Sequence, residues 1–259
     1  MRIAVIQLAA QREPRTAIFQ RALQAIDTAA ETDPAPDLIL LPAFSDVPAI
    51  LRGDTFITEQ SAGPTAAACG LRARQWGIFI ALGIAEPGSD KPYVTTVLID
   101  RDSDLRLACR QQRFSGPAEG RFASGARGHV ADVLLGRIAL LTGDDLLDDA
   151  AWDDARHQGA GIVLGSACWA NDGRDPAAEP RCIHSRIAAN AKRCGIACAV
   201  ADVTTAEADV NPACPGASAI ITSDGRVLHA AETGSEATLW AQVEVPQIEP
   251  NAGGKTQGG

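Results

Sequence analysis

Arg137-Ile138-Ala139-Leu140-Leu141-Thr142-Gly143-Asp144-Asp145-Leu146-Leu147-Asp148-Asp149 runs from an apolar segment through a glycine into an acidic one. Arg137 to Leu141 reads as a strand that pairs with His129 to Leu135 across Gly136. A helix is expected over roughly Leu147 to Gln158, and Gly161 to Ser166 reads as the next strand. Strand, turn, helix and strand in this order make the centre of the chain an α/β unit.

The same alternation extends to both ends. Met1 to Leu8 is a buried strand; Pro14 opens a helix in which Ile18, Ala22, Ile26 and Ala29 recur at helical spacing. Asp37 to Leu41 is a strand ending at Pro42, and Gly63-Pro64 opens a helix that reaches Trp76 and closes at Gly77. Ile78 to Gly83 is a strand, and Tyr93 to Cys109 a hairpin turning at Asp102-Ser103-Asp104. Arg110 to Gly128 has no period and reads as a long loop, a feature that usually carries function. Ala178 to Cys194 is helical and Gly195 to Val203 a strand. Ala217 to Thr222, a turn at Asp224-Gly225, Val227 to Ala230 and Thr238 to Val245 finish the chain as strands. No linker divides the pattern, so residues 1–246 are expected to form one domain and the Gly-rich 247–259 a flexible tail. Two mixed sheets packed face to face with helices outside accommodate these elements; periodicity alone leaves other arrangements open.

The 259 residues are 46% hydrophobic and 21% charged, which suits a packed globule. A net charge of -9 disfavours nucleic acid or an anionic membrane as partner. The opening apolar stretch breaks at Gln7, too soon for a signal peptide, and no run reaches the roughly 18 apolar residues of a spanning helix. Seven cysteines without a Cys-x-x-Cys pair read as reduced thiols, so a cytoplasmic location is expected. His129, His157, His184 and His229 lack metal-ligand spacing, and neither metal nor cofactor is expected. Gly253-Gly254-Lys255-Thr256 mimics the end of a P-loop but lacks its earlier glycine and a following helix.

Short segments in a consistent order resemble the carbon–nitrogen hydrolase (nitrilase) superfamily. They are Arg2 to Leu8, Asp37-Leu38-Ile39-Leu40-Leu41-Pro42, Cys109-Arg110-Gln111, Glu119-Gly120-Arg121-Phe122 with Gly125, Leu141 to Asp145, and Gly159 to Leu164. Ser166 to Trp169, Ser185 to Asn190, Gly216 to Ile221 and Asp224 to Val227 complete the set. The resemblance covers the chain from Arg2 to about Val245. It implies a four-layer αββα sandwich and hydrolysis of an amide or nitrile through a Cys nucleophile, a Glu base and a Lys that stabilises the oxyanion. At the three stations where the family carries Glu, Lys and Cys, this chain has Ala43, Gln111 and Gly143. Ala43 moves no proton, Gln111 carries no charge, and Gly143 has no attacking atom. Removing one such group commonly costs on the order of 10² to 10⁶-fold in rate.

Four residues remain as pocket candidates: Glu119, the one family carboxylate that persists; Asp144, where the family has an aromatic residue; and Cys168 with Trp169, on a strand that borders the family's pocket. Cys168 is either a relocated thiol or a buried apolar cysteine. Glu119 either lines a pocket or holds the long loop. Asp145, Asp149 and Asp153 are expected to share one solvated helix face. The expectation is a pseudoenzyme that binds a small molecule or a protein partner, as a homodimer or a heteromer with an active relative. The alternative is a hydrolase or lyase acting on C–N bonds by altered chemistry in the same pocket.

Overall fold

A computed structural model of the chain describes residues 1–10, 14–45, 57–126, 130–170, 179–205 and 214–246. The tail over 247–259 with its Gly253 to Thr256 motif, and His129, lie outside them. The strands are β1 (Arg2–Ala9), β2 (Leu38–Ala43), β3 (Phe79–Glu86), β4 (Tyr93–Ile99), β5 (Leu105–Arg110), β6 (Val130–Val133), β7 (Gly136–Thr142), β8 (Ile162–Ser166), β9 (Ala197–Ala201), β10 (Val203–Thr204), β11 (Ala219–Ile221), β12 (Val227–Ala230) and β13 (Ala237–Gln242). The α-helices are α1 (Arg15–Ala30), α2 (Pro64–Trp76), α3 (Asp149–His157) and α4 (Pro180–Cys194).

A seven-stranded sheet runs β10-β1-β2-β3-β4-β5, with β13 also on β1; a six-stranded sheet runs β12-β11-β9-β8-β7-β6. Side chains alternate faces along a strand, and in the central strands both faces are buried, so β1, β2, β3, β8 and β9 read as largely continuous apolar runs. Ile3 and Val5 of β1, with Leu38 and Leu40 of β2, face Ile138, Leu140, Ile162 and Leu164 of the other sheet. Their neighbours Ala4, Ile6, Ile39 and Leu41 turn outward and pack beneath Leu23, Ile26, Cys69 and Ala73 of α1 and α2. Ala139, Leu141, Val163 and Cys198 likewise meet Trp152 of α3 and Ile183, Ile187 and Ala191 of α4. The layers are therefore helix, sheet, sheet, helix.

Helices α2 and α4 each carry Pro at the first position and end on a glycine, Gly77 or Gly195, at φ 67° and 68°. Three expectations are corrected. The β6–β7 turn is centred on Leu134-Leu135, because Gly136 pairs with Val133 inside β7. The helix expected from Leu147 starts at Asp149, and a separate 3-10 turn spans Gly143–Leu147. The strand expected from Gly195 to Val203 is two strands: β9 lies in one sheet, β10 in the other, and the chain crosses between them at Asp202.

Candidate functional site

Several chain segments converge at one end of the sandwich. Ala43 ends β2, Gln111 follows β5, and Gly143 follows β7. Hydrogen bonds tie the two sheets together there. The Ala43 N–H donates to the Ala167 carbonyl (3.1 Å), and the Ser166 hydroxyl donates to the Leu41 carbonyl (2.8 Å). The Thr142 hydroxyl donates to the Cys109 carbonyl (3.1 Å) and lies 2.8 Å from that of Thr96. All of these hydroxyls are buried, so each bond satisfies a group that would otherwise be costly to bury.

Gly143 adopts φ 52°, in the left-handed region that favours glycine. A Cβ placed on it would lie 2.5 Å from Gln111 Oε1 and 2.6 Å from Nε2. The Gln111 side chain therefore occupies the space that a side chain at 143 would enter. Its amide is buried (7% exposed) and donates from Nε2 to the Arg113 carbonyl at 2.6 Å. Ala43 is 1% exposed and packs in a cluster with Ala85, Val94, Val203, Phe44 and Phe122. Phe44, itself at φ 57°, stacks on Phe122 (5.8 Å between centroids), which stacks on Phe114 (5.4 Å).

The other candidates separate. Asp144 and Trp169 meet: the indole Nε1 donates to one carboxylate oxygen of Asp144 (3.0 Å) and the Ser115 hydroxyl to the other (2.7 Å). Burial pushes Asp144 up from the ordinary carboxylate range, and these two donors oppose the shift. It lines a cleft of 330 Å³ with Arg113, Phe114, Leu147, Asp148 and Arg186. Glu119, by contrast, is exposed just beyond the 3-10 turn Gly116–Ala118 and is not among the residues that line this cleft. Cys168 does not lie on a strand, since β8 ends at Ser166. A hydrogen bond with Cys214, together with burial, raises its thiol well above the ordinary range, the opposite of what a nucleophile needs.

The acidic run also divides, against the expectation of one solvated face. Asp149 is exposed on α3, but Asp145 is buried within the 3-10 turn. Its carboxylate accepts the backbone N–H groups of Gln112 and Arg113, both at 2.9 Å, and so clamps the segment after β5 to the turn after β7. Asp202, buried at the sheet crossover, accepts the N–H groups of Trp169 (3.1 Å), Val203 (2.9 Å) and Ala217 (2.8 Å). From the sequence alone, Asp145 is placed on a solvated face and Asp202 is not singled out. A lone Asp inside the apolar run Ala197 to Val203 was the available signal for the second.

Burial raises Asp145 to about 6 and Asp202 to about 7, against the opposing pull of their backbone donors. Both are raised, so the fold retains protons that the unfolded chain releases above about 4. Their contribution is complete below that pH and is lost as pH rises through about 6 and about 7. His184, lowered by burial, works in the other direction below about 6.5. The expected result is a gain of roughly 2–4 kcal/mol between pH 8 and pH 5, measured by urea unfolding. Asp202→Asn should flatten most of that slope; an unchanged slope would refute the assignment.

Among the described residues, no group of three or more His, Cys, Asp or Glu could hold a metal ion, and no helix is long and apolar enough to cross a membrane. Residues 2–251 match the family described as carbon-nitrogen hydrolase. The chain belongs to the carbon–nitrogen hydrolase family. Its fold is similar to the crystal structure of a carbon–nitrogen hydrolase from Helicobacter pylori G27, with a TM-score of 0.83 and 15% identity over 94% of this chain and 89% of that one. Nit3 from Saccharomyces cerevisiae, a member of branch 10 of the nitrilase superfamily, gives 0.80 and 18% over 93% and 89%. A mutant amidase from Nesterenkonia sp. AN1, with acrylamide added at its active-site cysteine, gives 0.78 and 19% over 94% and 93%. Identities this low speak for the fold alone. No protein of curated function matches this chain. The αββα architecture is thus that of nitrilase-superfamily structures.

Proposed function

We propose that this family member does not hydrolyse amides or nitriles and acts by binding, with a protein partner favoured over a small molecule. The observation that supports this reading is the Gln111 amide lying where a nucleophile on residue 143 would extend. The burial of Ala43 among Phe44, Phe122, Ala85 and Val203 points the same way, because an apolar cluster offers a base neither room nor a proton path. The partner is a second copy of this chain or an active relative.

Altered chemistry in the same pocket has less support. Cys214 and burial raise the Cys168 thiol well above its ordinary range, Glu119 is exposed, and Asp144 is committed to Ser115 and Trp169. The purified protein, incubated with a panel of aliphatic and aromatic amides and nitriles, should release no ammonia above a buffer control. Native mass spectrometry should show it associated with another chain. Turnover that a single substitution in this protein abolishes would refute the reading.

A further inference from the structure

Cys168 and Cys214 are 46 residues apart in sequence, yet their sulfurs lie 3.8 Å apart. Cys168 follows β8 by two residues and is partly accessible. Cys214 is 4% exposed and is held through the backbone: the Thr205 N–H donates to its carbonyl (2.9 Å), and its own N–H donates to the Thr205 hydroxyl (3.2 Å). The pair thus joins the segment leaving β8 to the segment that pairs with the end of β10, beside the apolar cluster that contains Ala43. A disulfide needs the sulfurs at about 2.05 Å, so closure takes roughly 2 Å of sulfur movement, within reach of a side-chain rotation.

We infer that Cys168 and Cys214 form a redox-active dithiol that a small two-electron oxidant such as hydrogen peroxide closes to a disulfide. Cys168, the less buried residue of the pair, attacks a peroxide oxygen through its sulfur; the O–O bond breaks, and Cys168 becomes a sulfenic acid as one water leaves. Cys214 sulfur then attacks Cys168 sulfur. The S–S bond forms, the S–O bond breaks, and the departing hydroxide takes the Cys214 proton as a second water. Two thiols lose two electrons in all, and one peroxide is reduced to two waters. The raised Cys168 thiol sets the pace, which is slow, because only the thiolate attacks.

The folded, reduced protein is treated with hydrogen peroxide, its remaining thiols are alkylated in denaturant, and the peptides are mapped without reduction. The expected product is a Cys168–Cys214 linked peptide, reversed by dithiothreitol, with Cys69, Cys109 and Cys198 still alkylated. The oxidised protein should melt about 5–10 °C higher, because the bridge closes a long loop in the unfolded chain. In Cys214→Ser the reaction should stop at a sulfenic acid on Cys168 that dimedone traps. Both cysteines alkylated after exposure, a sulfinic acid on Cys168 without a link, or links scattered among the other cysteines would each overturn the inference. The wild-type mapping decides the matter even if the variant fails to fold.

Discussion

Gly143→Ala is expected to destabilise the protein by roughly 2–4 kcal/mol, and most of that loss should disappear when Gln111 is truncated as well. Two physical costs are involved. An L side chain at φ 52° costs about 1 kcal/mol relative to glycine. The new Cβ also falls within 2.7 Å of all three terminal heavy atoms of the Gln111 amide, which must then leave its bond to the Arg113 carbonyl. Breaking a buried bond of this kind costs roughly 1–3 kcal/mol. In a Gln111→Ala background only the backbone cost remains, so the two substitutions should couple by roughly 1–3 kcal/mol. Urea unfolding of the four proteins of the cycle measures this. Simple additivity would mean that the two residues do not share the space, and would remove the main support for a filled site.

Ala43→Glu is expected to cost at least about 3 kcal/mol at pH 7, and less as pH falls toward 4. The position is 1% exposed and closely packed: a Cβ on Gly83 would lie 2.6 Å from Ala43 Cα, so the neighbouring strand already touches it. A glutamate there must displace packed apolar groups and bury a carboxylate among Phe44, Ala85 and Phe122. Burial raises its folded pKa, so the penalty is smallest where the carboxyl is protonated and grows as pH rises through that value. The triple variant Ala43→Glu, Gln111→Lys and Gly143→Cys should accordingly be unstable and recover little amide hydrolysis. Wild-type stability of Ala43→Glu at neutral pH, or substantial turnover by the triple variant, would show that the position is still open and the reaction only a few side chains away.

Much of the fold was legible because both faces of most strands are buried. Uninterrupted runs such as Ile3 to Ile6, Leu38 to Leu41 and Ile138 to Leu141 leave few alternatives, and Pro64, Gly77 and Gly195 punctuate the helices where the sequence puts them. The resemblance led to the expectation that Ala43, Gln111 and Gly143 share a site; the structure puts Gln111 against Gly143 and places Ala43, like them, at the end of a strand. The sequence did not carry which carboxylates are buried. Asp145 looks like any member of an acidic run, and only the N–H groups of Gln112 and Arg113, more than thirty residues earlier, make it a clamp. Glu119 was open to two readings, lining a pocket or holding the long loop, and is exposed; Cys168 looked like part of a strand and stands two residues past its end.

The order of most strands and helices, the apolar character of the central strands, and the lack of any side chain at residue 143 follow from the sequence. Those properties are local, set by side-chain chemistry and by periods of two and 3.6 residues. Long-range packing, by contrast, makes Gly195 to Val203 change sheets at Asp202, puts Gln111 in the space above Gly143, and sets Cys168 against Cys214. Each of these is a contact between segments distant in the chain. It exists because close packing leaves one arrangement in which buried polar groups find partners, and no local pattern encodes it.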